Sequence, residues 1–495
     1  MKKMKVLVAN RGEIAVRILR ACQEMGLPSV AVFTDVDESA LHVRYADEAV
    51  AIGDKLKYLD IPAILEAARQ SGATAIHPGY GFLAENAEFA RQVEGQGLTF
   101  IGPRHETVSM MGDKLAARRF SRQAGLPVIA GTDEPLPVEL PLDMAEKVQY
   151  PVLVKAAAGG GGRGIRLALT AAELPAMIEA ARREAKAAFN DDTVFLESLV
   201  QQARHIEVQI LGDGEGNVVC LGERECSIQR RRQKLIEEAP AHALRPELRR
   251  QVHEAAIRLG QALKYRSLGT VEFLLDPKED FYFIEVNPRI QVEHPVTEMV
   301  TGVDIVKEQL MLALGEPLRK FPEEIHPRGA AIEARILAED SQAGFLPSTG
   351  QVLYLKEPGG PGVRIDSALY QGMTVGTEYD SLLAKVIVWG ENRAIAIQRL
   401  RRALHEYQIG GLSTDIDFIL QIIESPKFMS GDVTTTYLET FMPKPPATEP
   451  GLERDLAWAA ALFAHQQRTE HAVPETGKGS AWQTIAWKEQ MNGNL

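Results

Sequence analysis

The chain has 495 residues, 45% hydrophobic and 25% charged, with a formal net charge of −12. That is enough for two or three domains and a large core, and the acidic balance excludes a general binder of nucleic acid or of anionic membrane. Three cysteines (Cys22, Cys220 and Cys226) make neither a metal-type pair nor a disulfide framework, so a reducing compartment is expected.

No window approaches a transmembrane span. The apolar run Val6–Ala9 behind the basic start is too short for a signal h-region, which predicts a cytoplasmic protein. Residues 1–112 alternate strand and helix. Strands are expected at Lys5–Ala9, Ser29–Thr34, Glu48–Ile52, Ala75–Ile76 and Thr99–Ile101, with helices at Glu13–Met25, Ile61–Gln70 and Glu85–Glu94. That pattern is α/β, a doubly wound parallel sheet. Ala9-Asn-Arg-Gly-Glu13 lacks the dinucleotide fingerprint. His77-Pro-Gly-Tyr-Gly-Phe82 should lie at the sheet's carboxyl edge, where Tyr80 could line a site or merely belong to a turn. A connecting helix over 113–126 carries Lys114 near its positive end.

Residues 127–199 read as a small α/β domain. The strand Tyr150–Ala156 ends in Lys155, and Ala158-Gly-Gly-Gly-Gly-Arg-Gly164 follows. Such a loop exposes N–H groups to phosphate, but it leads into a strand and is not a Walker loop. It reads as a mobile flap over a nucleotide, with Lys155 on the phosphates. A helix at Ala171–Ala188 and a strand at Thr193–Leu196 lead to the connector Glu197-Ser-Leu-Val200, whose backbone could meet an adenine edge.

From 200 to 445 the chain is rich in strands. Arg204–Leu211 places His205, Glu207 and Gln209 on one face, and Val218–Glu223 returns after a turn. The basic segment Cys226–Lys234 holds three adjacent arginines without interleaved aromatics, so a small polyanion suits it better than nucleic acid. Helices are expected at Pro246–Leu263 and Gly302–Ala313. Val271–Asp276 and Asp280–Asn287 form a hairpin. If Asp276 pairs with Phe281, Leu274 faces Phe283 and Glu272 faces Glu285, and strict alternation puts Phe281, Phe283, Glu285 and Asn287 on one face. Two facing carboxylates need a proton or a cation between them, and with Asn287 they make an oxygen set for Mg²⁺. Arg289-Ile-Gln-Val-Glu293 reads as an anion site beside that metal. The tail, 446–495, has an Ala-rich helix at Asp455–Gln467 and then Trp482 and Trp487, a composition suited to a partner contact.

Taken in order, the lysines, the flap, the connector, the basic segment and the acid–acid–Asn set resemble the ATP-grasp fold. Gly112-Asp-Lys114, Lys155 with Gly159–Gly164, Gln229-Arg-Arg-Arg-Gln-Lys234, Glu285–Pro295 and Glu333-Ala-Arg335 resemble the biotin carboxylase family over about residues 1–445. The resemblance implies an N-terminal doubly wound domain, a small mobile lid and a mixed α+β C-terminal domain. It also implies ATP-dependent carboxylation of biotin, the first half-reaction of an acetyl-CoA or other acyl-CoA carboxylase.

By motif, Lys114, Lys155, Gly161, Gly162, Glu197, Val200, His205, Gln229, Arg232, Glu272 and Glu285 would bind ATP. Glu272, Glu285 and Asn287 would hold Mg²⁺ or Mn²⁺. Lys234, Arg289, Gln291, Val292 and Glu293 would bind bicarbonate, and Arg335, Tyr80 and Asp380 would face biotin. Lys234, Arg289, Glu293 and Arg335 would carry the catalysis, with Glu293 as base.

Two positions depart from the family pattern. Arg232 stands where a histidine is usual and cannot act as a neutral acceptor, and Ser198 replaces a common lysine. No biotinylation string is present, so biotin would ride on a separate biotin carboxyl carrier protein. Carboxyltransferase subunits and a second copy of the chain would complete the assembly. Competing readings are a pyruvate-type carboxylase, another ATP-grasp ligase acting through an acyl phosphate, and an inactive ATP-binding scaffold.

Overall fold

The computed structural model describes residues 4–137, 148–158, 164–319, 326–442, 456–463 and 465. The chain divides into two compact units, Met1–Pro443 and Lys444–Leu495. Within the first, β1 (Val6–Val8), β2 (Ser29–Thr34), β3 (Glu48–Gly53), β4 (Ala75–His77) and β5 (Thr99–Phe100) form a parallel sheet in the order β3-β2-β1-β4-β5. Strands β1 and β4 are buried throughout because helices cover the sheet. Helix Gly12–Glu24 turns Ile14, Ile18, Leu19 and Cys22 inward, and Gly26 follows it at φ 61 in the left-handed region that stops a helix. Asp113 caps helix Lys114–Gln123, accepting from the N–H groups of Leu115 and Ala116 at 2.9 and 3.0 Å.

A second sheet, antiparallel, places β6 (Val152–Ala156) between β7 (Ile165–Ala168) and β8 (Val194–Ser198), backed by helix Leu174–Phe189. Strand β8 runs to Ser198, so Glu197 lies inside a strand and not in the expected connector. Residues 159–163, including Gly161 and Gly162, lie outside the described residues.

The largest layer is an antiparallel sheet in the order β13-β12-β9-β10-β11-β14-β16-β15. Its strands are β9 (Arg204–Asp213), β10 (Val218–Arg230), β11 (Gln233–Ala239), β12 (Arg266–Leu275), β13 (Phe281–Asn287), β14 (Ala330–Leu337), β15 (Val363–Ser367) and β16 (Leu382–Gly390). The basic segment is therefore two strands joined at Arg231 and Arg232, whose φ values of 50 and 68 bend the chain without a glycine. Helix Pro246–Ala262 buries Leu248, Val252, Ala256 and Leu259 with Ile206, Val208, Val271 and Phe273 in one core.

The hairpin β12–β13 corrects one expectation. Leu275, not Asp276, pairs with Phe281, and Phe273 pairs with Phe283. The register then shifts, so that Glu272 pairs with Glu285 and Ile284 is left over. Ile284 is a bulge. It sends Phe281 and Phe283 to the core together with Val286, and Glu285 and Asn287 to the opposite face. The aromatic pair and the acids do not share a side, because alternation fails across one extra residue.

No helix among the described residues is long and apolar enough to cross a membrane. In the second unit a helix through residues 456–463 and 465 exposes Leu456, Trp458, Leu462 and Phe463. Trp482 and Trp487 lie outside the described residues.

Candidate active site

The polar face of the large sheet carries the site. Strand β9 contributes His205, Glu207 and Gln209, and β12 contributes Thr270 and Glu272 at paired positions. Lys234, from the start of β11, reaches into this face. Its Nζ lies 2.5 Å from Glu207 Oε2, 2.9 Å from Glu272 Oε1 and 2.6 Å from Glu293 Oε1. On the far side of Glu293, Arg335 Nη2 donates to Oε2 at 2.9 Å, and its Nε donates to Glu237 Oε1 at 2.6 Å. Burial would raise Glu293, but Lys234, Arg335 and Arg224 outweigh it and hold the carboxylate well below its usual range.

Glu272 is satisfied from several directions. Asn287 Nδ2 and Gln291 Nε2 each donate to its Oε1 at 2.8 Å. His205 Nε2 sits 2.9 Å from Oε2, while Gln229 Nε2 meets His205 Nδ1 at 2.7 Å. Burial opposes ionisation of Glu272, yet Lys234 and His205 hold it well below the carboxylate range.

Glu285, opposite in register, has no hydrogen bond or ion pair among the described residues. Burial and the charge of Glu272 raise its proton affinity, against the pull of Lys114 and Lys155. A lysine thus fills the space between Glu207 and Glu272, whereas the Glu272–Glu285 side has two facing acids and an amide oxygen at Asn287, with no side-chain cation among the described residues bridging the two acids. Those oxygens fit a hard divalent cation such as Mg²⁺.

The two lysines expected at phosphate sit beside this pair. Lys155 Nζ donates to Glu197 Oε1 at 2.6 Å, and Arg118 Nη1 donates to Oε2 at 2.6 Å. Both oxygens of Glu197 are thus engaged. Val200 follows two residues after the strand end. Arg232 is not drawn into the cluster: it stands exposed at the tip of the β10–β11 hairpin, under the influence of Glu439 and Arg166.

The loop after β13 holds the anion residues. Arg289 donates to Glu85 Oε1 at 3.0 Å and to Asn287 Oδ1 at 3.1 Å. Gln291 uses its amide between Arg224 and Glu272, so its side chain is already committed. The carbonyl of Val292 accepts from Lys385 Nζ at 2.8 Å. The main-chain N–H groups of Gln291 and Val292 donate to no acceptor among the described residues and precede the positive end of helix His294–Thr301, which sequence periodicity did not reveal.

Tyr80 and Asp380 line one small cavity of about 170 Å³ together with Arg11 and Glu13. Asn10 Nδ2 clamps the Tyr80 loop by donating to the carbonyls of Pro78 and Tyr80, both at 2.7 Å. Gly79, at φ 62, allows that approach, since a Cβ there would lie 2.8 Å from Asn10 Nδ2. The charge of Arg335 favours the ionised forms of both Tyr80 and Asp380, against the burial that raises both.

Sequence reasoning passed over Arg224. It is fully buried, and its five N–H donors go to Glu207, Gln209, Thr297, Thr270 and Gln291. It ties the Glu293 loop to the strand of Glu272. Its only signal was its place on the strand opposite the His205, Glu207 and Gln209 face.

Three family models match in sequence: the biotin carboxylase N-terminal domain over residues 2–108, the carbamoyl-phosphate synthase L chain ATP-binding domain over 113–321, and the biotin carboxylase C-terminal domain over 333–440. A biotin carboxylase of Nostoc sp. is 51% identical over 443 residues, 89% of this chain and 99% of that protein. The chain belongs to the biotin carboxylase family.

The family reaction is ATP-dependent carboxylation of biotin on an ATP-grasp fold. A pyruvate carboxylase subunit of Methanothermobacter thermautotrophicus is 48% identical, covering 88% of this chain and 90% of that one. Among solved structures, the biotin carboxylase domain dimer of 2-oxoglutarate carboxylase from Hydrogenobacter thermophilus, in complex with MgADP, ADP and bicarbonate, aligns with TM-score 0.86. It is 47% identical and covers 88% of this chain and 97% of that one.

Proposed function

We propose that this chain carboxylates biotin carried on a separate carrier protein, in the cytoplasm, as a homodimer serving carboxyltransferase subunits of an acyl-CoA carboxylase. The observation that carries the residue roles is Glu293 held between Lys234 and Arg335, with Lys234 also on Glu272.

Bicarbonate enters beside Lys234, Arg289 and the N–H groups of Gln291 and Val292. By sharing Lys234 and Arg335 it weakens their hold on Glu293, whose proton affinity rises. Glu293 then takes the bicarbonate proton. The carbonate oxygen forms a bond to the γ-phosphorus of ATP as the bond to the β-phosphate oxygen breaks, giving carboxyphosphate and ADP. Lys114 and Lys155 offset charge on the phosphate chain, with His205, Gln229 and the backbone at Glu197 and Val200 orienting the nucleotide. A divalent cation held by Glu272, Glu285 and Asn287 would neutralise charge on the transferring phosphoryl group. Carboxyphosphate splits into CO₂ and phosphate, and phosphate accepts the N1 proton of biotin. Arg335 stabilises the enolate oxygen while N1 bonds to CO₂, with Tyr80 and Asp380 bordering the ring. Arg232, at the hairpin tip, is left for the outer end of the triphosphate.

The test is ADP release with bicarbonate and free biotin. Biotin-stimulated, bicarbonate-dependent turnover is expected, and its absence would refute the assignment. The likeness to a pyruvate carboxylase component favours a second reading, in which the partner transferase acts on a 2-oxo acid. Co-purified transferase assayed with acetyl-CoA and with pyruvate separates the two.

A further inference from the structure

A second pair of facing acids lies in the middle of the large sheet. Glu237 of β11 and Glu333 of β14 are directly opposed in antiparallel register, and neither is exposed at all. Directly opposed Cβ atoms stand about 5 Å apart, which places the two carboxyl groups within reach of each other. Glu237 Oε1 accepts from Arg335 Nε at 2.6 Å, but its Oε2 accepts nothing, and neither oxygen of Glu333 has a partner among the described residues.

The neighbouring charges do not remedy this. Lys385, on β16, gives its Nζ to Val292 O at 2.8 Å and Glu13 Oε1 at 3.1 Å, with Asp366 of β15 at 3.8 Å. Lys234 is taken by Glu207, Glu272 and Glu293. His294, from the helix packed over these strands, is buried, and burial beside Lys385, Arg17 and Arg364 keeps it neutral. Glu293 adds a further negative charge. Two ionised carboxylates facing each other here would be untenable.

We propose that Glu333 is a neutral carboxylic acid whose hydroxyl donates to Glu237 Oε2, and that this bond positions Glu237 to hold the Arg335 guanidinium. Glu237 and Glu333 are then positioning residues for the biotin half of the reaction, so the inference rests on the role proposed for Arg335. The shared proton satisfies two of the three unpartnered oxygens, one on each acid, and Glu237 keeps the single charge that Arg335 needs. Burial, reinforced by Glu237 and Glu293, pushes Glu333 well above the carboxylate range despite Lys385 and Arg335. Burial also raises Glu237, to about 7.

Difference infrared spectroscopy tests the proton directly on the full chain. Wild type minus Glu333→Gln at pH 8 should show the C=O stretch of a protonated carboxyl group. A carboxylate band in its place would overturn the proposal. Kinetics test the positioning role. Glu333→Leu, which cannot donate, should raise the KM for biotin about tenfold, the worth of a charge-assisted hydrogen bond, with a smaller change in the rate of biotin-independent ATP cleavage. Glu333→Gln, which still donates, should restore the biotin KM to within about twofold. Failure of Gln to rescue, or equal loss in both assays, would overturn it. Because the infrared result needs no turnover, it stands or falls apart from the assignment of Arg335.

Discussion

The large sheet presents the same device twice with opposite outcomes. Glu272 faces Glu285 at the edge of the sheet, and Glu237 faces Glu333 in its interior. At the edge, Glu285 is half-buried and feels the charges of Lys114 and Lys155, and its partial exposure leaves a way in for a cation. In the interior both acids are sealed from solvent, and the pair is left to share a proton. Access, not residue type, decides which positive charge joins two carboxylates. Glu293 stands between the two, gripped by a lysine from the first and an arginine from the second.

Cutting that bridge should have the largest effect. Glu293→Gln is expected to leave ATP binding intact and to lower bicarbonate-dependent ADP release about 10²–10⁴-fold. An unchanged rate would remove Glu293 as base. Next comes the interior side: Arg335→Ala should lower biotin-dependent turnover about 10–100-fold, well beyond its effect on biotin-independent ATP cleavage. Equal loss in both assays would deny it a place at biotin.

At the edge, Glu285→Gln should raise the Mg²⁺ concentration needed for half-maximal rate about tenfold or more, whereas Glu333→Gln should not move it. A shift with Glu333→Gln would mean that the two pairs are not distinct. The smallest effect is on stability. Glu237 and Glu333 have raised proton affinity in the folded state, so their contribution is full below the ordinary carboxylate value and is lost as pH rises through about 7 and beyond. Glu272 and Glu293 are held low, so theirs is present above that value and lost as pH falls. Urea unfolding at pH 5 and pH 8 should show Glu333→Gln gaining about 1–3 kcal/mol on wild type over that interval.

The N-terminal sheet was readable because its strands are short apolar runs between periodic helices, and Ser29–Thr34 matches to the residue. The pairing of Glu272 with Glu285 was also reached from the sequence, but through two compensating errors: the turn pairs one residue earlier than expected, and the bulge restores the count. Nothing in an isoleucine announces a bulge. Arg231-Arg232 hid a tight turn, since both take left-handed conformations usually given to Asn-Gly. Arg224 was unreadable for a different reason: an arginine on a strand ordinarily reaches water, and only the assembled sheet shows its five partners.

The leftover Ile284 therefore governs more than local twist. Were it paired regularly instead of bulging, strict alternation would put Phe283 and Glu285 on one side. The sheet would then have to bury an acid among Val271 and Phe273 or expose a phenyl ring on the polar face, so the power of this hairpin to keep oil on one side and salt on the other hangs on a single surplus residue.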